Sequence, residues 1–257
     1  MQELERHLSP PPARASSRRP SVAIVGAGRV GWLMTAGLTG AGLTVRGPLR
    51  RGQPADDAGA VLLCVPDAAI AAAAAVIAPG PLVGHCSGAT GLAVLAGHEA
   101  FSLHPLMTIT AGADPSVLAG AGAAVEGSTA RALAVATELA QALGLHPIAV
   151  AYADRAAYHA AASIASNFLI TLEAAAERLA AEAGLTRADL VPLVRATVEN
   201  WAALGPERAL TGPVARGDEA TVARQRAAVA GRAPELLSLF DALVAATRAL
   251  ASEAVAA

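Results

Sequence analysis

The chain has 257 residues, of which 54% are hydrophobic, 16% charged and 3% aromatic, with 19 basic against 21 acidic side chains and a formal net charge of −2. That apolar fraction excludes a disordered chain, and the balanced charge excludes a nucleic-acid binder, which needs a basic field to neutralise phosphates; a small-molecule ligand is expected instead. The length allows one large domain or two small ones.

Every basic residue is an arginine, a compositional bias that takes functional weight from Ala-rich runs such as Ala71 to Ala75. The long uncharged stretch from Ala68 to Gly97 is cut by Pro79, Gly80, Pro81, Gly84 and Gly88. It therefore lacks the roughly 20 continuous apolar helical residues that a bilayer requires. Cys64 and Cys86 sit in apolar strand-like runs, so neither a disulfide framework nor a metal site is expected, and a reducing cytoplasm fits.

In chain order, residues 1–20 are polar and proline-bearing, without the apolar core of a signal peptide, and read as a flexible tail. Residues 21–150 alternate short apolar runs with helical stretches. The first strand is Val22 to Val25, and further strands are expected at Leu43 to Arg46, Ala60 to Val65, Leu82 to Cys86, Phe101 to Leu103, Ala123 to Val125 and Pro147 to Val150. The intervening helices are expected at Val30 to Thr39, Asp67 to Ile77, Gly91 to Ala96 and Ala130 to Leu143. Such alternation predicts an α/β fold with a mostly parallel, doubly wound sheet. Over residues 151–257 the strand signals stop. Four helices follow, at Asp154 to Ala183, Arg187 to Leu204, Glu219 to Ala230 and Pro234 to Ala254, with Thr186 as an N-cap. This second, all-helical domain is small for a complete core of its own, and its Ala- and Leu-rich faces predict packing on the sheet domain or on a second copy.

The motif Gly26-Ala27-Gly28-Arg29-Val30-Gly31 stands between the first strand and the first helix. In a dinucleotide fold the first glycine makes the tight turn, the second admits the pyrophosphate and the third lets helix and strand pack closely. About twenty residues on, an NAD site usually places an acid on the ribose hydroxyls. Here Val45-Arg46-Gly47-Pro48-Leu49-Arg50-Arg51 offers arginines suited to a 2′-phosphate, against the alternative of solvated loop arginines.

Together with Leu63-Cys64-Val65-Pro66-Asp67, His85-Cys86-Ser87-Gly88, Ser102-Leu103-His104-Pro105-Leu106, Tyr158-His159-Ala160-Ala161-Ala162 with Ala165-Ser166-Asn167, and Ala209-Leu210-Thr211-Gly212-Pro213-Val214-Ala215-Arg216-Gly217-Asp218, the motif resembles the Rossmann-like proteins whose C-terminal domain is the domain of unknown function DUF2520. These are relatives of ketopantoate reductase, pyrroline-5-carboxylate reductase and 6-phosphogluconate dehydrogenase. The resemblance implies an N-terminal Rossmann sheet, a helical C-terminal domain like that of 6-phosphogluconate dehydrogenase, homodimerisation and an NADP-linked reductase, with ketopantoate as the leading substrate. It places the cofactor on Gly26, Gly28, Arg29, Val30, Gly31, Arg46, Val65, Pro66 and Ser87.

Reducing a carbonyl needs a proton donor beside the nascent alkoxide. Arg155, His159, Ser163 and Asn167 recur at four-residue spacing, and in a regular helix the last three fall within about 80° of one face. His159 is the candidate donor, with Ser163 and Asn167 orienting the substrate; related reductases carry Lys and Asn four apart on the equivalent helix, and this chain has His and Ser. The opposing reading makes His159 a hydrogen-bonding helical histidine. His104 follows a strand at the carboxyl edge of the sheet and is either a substrate contact or a structural histidine. A His-Pro pair is similarly placed in prephenate dehydrogenases, which makes that activity a rival. Ser87 offers a hydroxyl and open backbone to the cofactor amide, or merely turns the chain. Thr211 and Arg216 are candidates for a substrate carboxylate, unless Arg216 pairs with Asp218, itself placed to cap the next helix. A different class of reading is a catalytically idle dinucleotide sensor or scaffold.

Overall fold

The computed structural model describes residues 21–50, 52–55 and 57–256. The tail expected over residues 1–20, Arg51 and Asp56 lie outside them. The described chain forms two compact units, the first ending at Ala162 and the second beginning at Ser163. The first unit holds a seven-stranded sheet of β1 (Val22–Val25), β2 (Val45–Leu49), β3 (Ala60–Leu63), β4 (Leu82–His85), β5 (Ala100–Pro105), β6 (Gly122–Gly127) and β7 (His146–Ala149) in the order β2-β1-β3-β4-β5-β6-β7. All neighbouring pairs are parallel except β5 with β6. Chain direction across the sheet reverses between β1 and β3, which opens a crevice beyond their carboxyl ends where α/β sheets bind ligands.

Alternation along the buried strands divides the core. Val22, Ile24, Leu62, Phe101 and Leu103 face one side with α1 (Arg29–Gly40) and α3 (Ala130–Ala142), through Leu33, Met34, Leu38, Ala136 and Leu139. Ala23, Val61, Leu63, Val83 and Ala100 face the other, against Ile70, Ala74, Ile77 and Leu95. Thr129 starts α3 by accepting the Ala132 N–H at 3.1 Å.

Four expected elements differ. The second strand is displaced to β2, which contains Gly47-Pro48; a proline without an N–H is tolerated because β2 is the sheet edge. The helix expected over Asp67 to Ile77 is a 3₁₀ turn at Asp67–Ala69 followed by the short α2 (Ile70–Ala74), and the one expected over Gly91 to Ala96 is a 3₁₀ turn at Leu92–Leu95. The long helix expected from Asp154 to Ala183 is divided into α4 (Arg155–Ser163), a π-helical turn at Ile164–Phe168, and α5 (Leu169–Ala181).

The second unit continues through α6 (Arg187–Leu204), α7 (Pro206–Ala209), α8 (Glu219–Arg232) and α9 (Leu237–Ala256). Helix α6 starts in a capping box, where the Asp189 carboxylate accepts from the Thr186 N–H at 2.8 Å and from its hydroxyl at 2.7 Å. Neither α5 nor α6 contains a buried residue, and Ile164, Phe168, Ile170, Leu193 and Trp201 are each more than half exposed. Among the described residues no helix is long and apolar enough to cross a membrane.

Candidate functional site

The glycine turn after β1 is built by close approach. A side chain on Gly26, whose φ is +116°, would begin 2.2 Å from the Cys64 carbonyl oxygen, and one on Gly31 would begin 1.7 Å from the Gly26 carbonyl oxygen. Gly28 differs: open space surrounds its Cα, and as N-cap of α1 it supplies no side-chain hydrogen bond. The first turn of α1 also lacks an acid, so the positive end of the helix is left for an external anion. Beside it is a pocket of about 600 Å³ lined by Ala27, Gly28, Arg29, Trp32, Leu33, Ala36 and Ala111 to Ala113. Room at Gly28, an uncapped helix N-terminus and an adjoining apolar wall fit a dinucleotide, with its diphosphate on the turn. Val30 is half-buried behind the turn; Val65 and Pro66 follow β3 at the same carboxyl edge.

A second constellation joins the segment past the end of β4 to side chains of β5 and β6, on the sheet face opposite α1. Its centre is Arg155, 2% exposed at the start of α4. The guanidinium binds Glu126 through Nε at 3.0 Å and Nη2 at 2.7 Å, and Nη2 also donates to the Ser102 hydroxyl at 2.5 Å. Nη1 donates to the carbonyls of Ser87 at 3.4 Å and Thr90 at 3.2 Å. Ser102 and Glu126 are direct partners across the antiparallel β5–β6 pair, so one cation covers one rung of the sheet. The Ser87 hydroxyl donates to Asp67 at 2.7 Å and accepts the N–H groups of Thr90 at 2.9 Å and Ala89 at 3.2 Å. Its donor and both acceptor sites are thereby filled. His85 is fully buried, its Nδ1 accepting the Ser87 N–H at 3.2 Å, and burial lowers its pKa.

His104 completes this group. Its Nδ1 is 2.8 Å from the Tyr158 hydroxyl, the two rings meet edge to face with centroids 5.6 Å apart, and the His159 ring is 6.2 Å away. A side chain on Gly88 would begin 2.7 Å from the His104 ring, so Gly88 makes room for the imidazole. Burial, then the charges of His159 and Arg155, bring the His104 pKa down to about 4, with His85 adding to the fall and Asp67 opposing it. Burial also pushes the Tyr158 phenol up. At neutral pH the pair is an uncharged imidazole and an intact phenol.

The remaining candidates separate. His159 is exposed and belongs to the first unit, whereas Ser163 and Asn167 belong to the second. The π-helical turn begins between Ser163 and Asn167, and its wider winding invalidates the angular spacing of a regular helix there. Thr211 and Arg216 are exposed in the loop before α8, and Asp218 caps that helix by accepting the Thr221 N–H at 3.0 Å. Arg46, at the edge of the sheet, carries an ion pair with Asp57 at 2.5 Å, both side chains well exposed. Sequence reading missed Asp67, Glu126, Tyr158 and the buried role of Arg155. The polar alternation of Ser102 and His104 between Phe101, Leu103 and Pro105 was the available signal. Among the described residues no His, Cys, Asp and Glu cluster suits a metal ion.

Because the folded pKa of His104 lies below the unfolded value of 6.5, the unfolded chain binds more protons between those limits. Stability from this group is present above pH 6.5 and is lost as pH falls toward 4. The expected size is about 2 kcal/mol after allowance for partial exposure of the ring. Urea unfolding from pH 7 to pH 4 checks it: His104→Gln should show a shallower loss than the parent protein. Parallel curves would refute the burial account.

Residues 121–247 match the model of the domain of unknown function DUF2520. The sequence finds no match among curated proteins. Among solved structures, a candidate NADP oxidoreductase from Bacteroides fragilis aligns with a TM-score of 0.77 at 18% identity, covering 89% of this chain and 98% of its own. A Thermotoga maritima protein aligns at 0.72 with 22% identity, covering 90% and 98%. A 1-pyrroline-5-carboxylate reductase from Streptococcus pyogenes aligns at 0.60 with 12% identity, again covering 90% and 98%. At these identities the likeness is one of fold. With its glycine turn at the switch point and its helical second half, the chain is a Rossmann-like protein carrying a DUF2520 domain.

Proposed function

We propose that the chain is an NADPH-dependent reductase of a small carbonyl or imine compound bearing a carboxylate, with ketopantoate the first substrate to test. The observation that carries this reading is the open, uncapped glycine turn at the β1/β3 switch point, with a polar constellation at the same carboxyl edge of the sheet. The fold shared with a pyrroline-5-carboxylate reductase supports an imine or carbonyl as the reducible group. NADPH, when bound, supplies the hydride.

The chain's residues bind, orient and move the proton. Backbone N–H groups at Gly28, Arg29 and Val30 hold the diphosphate, and Val65, Pro66 and the backbone at Ser87 border the dinucleotide. His104, neutral at working pH, contacts substrate as a hydrogen-bonding group. Proton delivery then falls to His159, the proposed donor to the nascent alkoxide or amine. In the second unit, Ser163, Asn167, Thr211 and Arg216 supply the hydroxyl, amide and guanidinium groups suited to a carboxylate. A second copy of the chain covers the apolar side chains that α5 and α6 leave exposed, making a homodimer.

Three outcomes follow. Loss of NADPH absorbance is expected with at least one member of a panel of 2-oxo acids and cyclic imines. His159→Ala should lower that turnover by about a hundredfold and leave cofactor affinity intact. Cofactor binding without reduction of any panel member favours the sensor reading, and undiminished turnover in the variant removes His159 as donor.

The 2′-phosphate must compete with Asp57 for Arg46. An exposed ion pair is worth only about 1 kcal/mol or less, whereas a charge-assisted contact to phosphate gives about 1.5 to 3 kcal/mol. NADPH should therefore bind about tenfold tighter than NADH. Asp57→Asn should widen that ratio and Arg46→Ala should erase it, as fluorescence titration of both cofactors will read. Equal affinities in the parent protein would overturn the NADPH assignment. Light scattering at micromolar concentration should give a dimer mass, and a monomer would leave the exposed helix faces unexplained.

A further inference from the structure

Two thiols lie under the glycine turn. Cys64 and Cys86 are the residues immediately after β3 and β4, whose parallel register runs from Ala60 opposite Leu82 to Leu63 opposite His85. They are therefore opposed one step beyond the last rung, where the Cys86 N–H still donates to Leu63 at 3.2 Å. Both are free, both face the α1 side of the sheet, and their Sγ atoms are 3.6 Å apart. Opposed residues on neighbouring strands have Cα atoms about 4.8 Å apart, inside the roughly 4.4 to 6.8 Å range that a disulfide spans. Rotation about χ1 with a small backbone shift can thus bring the sulfurs to bonding distance.

We propose that Cys64 and Cys86 form a redox-modification site, converted by hydroperoxides to an intramolecular disulfide that loosens the dinucleotide cradle. Cys86 reacts first because it is partly exposed, whereas Cys64 is 8% exposed. Its contact with Cys86, together with burial, pushes the Cys64 thiol up, keeping it protonated and unreactive alone. The Cys86 thiolate attacks the peroxide, the O–O bond breaks, and Cys86 becomes a sulfenic acid as water or an alcohol leaves. The Cys64 sulfur then displaces hydroxide from the sulfenyl sulfur, giving the S–S bond and, with the thiol proton, water. The thiol pair loses two electrons and the peroxide gains two. A small dithiol reverses the change by exchange.

Transmission to the cradle follows from packing. The Cys64 N–H donates to Val25 at 2.7 Å, its carbonyl oxygen occupies the space a Gly26 side chain would need, and its Cβ is 3.5 Å from where one on Gly31 would begin. A shift of Cys64 toward Cys86 moves it from β1 toward β4, which lengthens its hydrogen bond to Val25 and withdraws its carbonyl and Cβ from beneath Gly26 and Gly31. This consequence rests on the glycine turn binding a dinucleotide, as proposed above; formation of the disulfide does not.

The test is titration of the full chain with hydrogen peroxide, followed by intact mass, thiol count and NADPH fluorescence. Expected are a loss of two hydrogens per chain, disappearance of both thiols, a fall in NADPH affinity of about tenfold or more, and restoration of all three by dithiothreitol. Cys86→Ser should show neither the mass change nor the affinity loss, and Cys64→Ala should stop at oxygen addition on Cys86. Oxygen addition in the parent protein, or a disulfide between chains, would overturn the site. An intramolecular disulfide with unchanged affinity would overturn the link to the cradle. If the reduced protein binds no dinucleotide, the cofactor reading fails, and the mass readout still decides the thiol pair.

Discussion

A guanidinium withdrawn from water must be given partners for its charge and its five N–H donors, because a buried cation left unpaired costs several kcal/mol. Arg155 meets that demand from three stretches of chain: Glu126 of β6, Ser102 of β5, and the carbonyls of Ser87 and Thr90 after β4. Each partner is thereby fixed relative to the others. Tyr158, less than one turn further along α4, reaches His104 because Arg155 holds that turn on the sheet. The same anchoring accounts for the compact first unit extending to Ala162, past the sequence boundary at residue 150.

The histidines around Arg155 divide by exposure. Near Arg155, His85 is buried and His104 half-buried, and desolvation holds both toward the neutral form. Neutral rings pack and accept hydrogen bonds but deliver no proton as imidazolium at neutral pH. His159 is exposed at the rim of the cluster. Burial thus keeps both inner rings neutral beside one ion-paired guanidinium.

What could be read from the sequence follows from the range of each interaction. Gly26, Gly28 and Gly31 were legible because their spacing encodes a local turn, and the strands around them because β1 and β3 are continuous buried runs. Thr186 and Asp218 were legible as caps for the same reason. The Arg155 cluster was not, since its partners are separated by 29 to 68 residues and meet only through sheet order and the antiparallel β5–β6 register. In a helical pattern Arg155 was one member of a polar stripe, indistinguishable from His159. The Arg46–Asp57 pair was hidden by the displaced edge strand, where Gly47-Pro48 reads as loop although an edge position accommodates it.

The second half of the chain shows the limit of pattern reading in another way. Periodicity located α6 to the residue and placed α8 and α9 closely, but it merged α4 and α5 into one helix and does not say which apolar faces meet. Phe168 and Ile170 on either side of the start of α5, and Leu193 and Trp201 on α6, are too large and too exposed to be explained by helix propensity. Helices of this length gain most of their stability from packing rather than from intrinsic preference. Helices α5 and α6 hold no fully buried residue, so their packing is not read from their own apolar stripes. Periodicity thus specifies which residues share an apolar face, whereas the surface that face meets is set by tertiary packing.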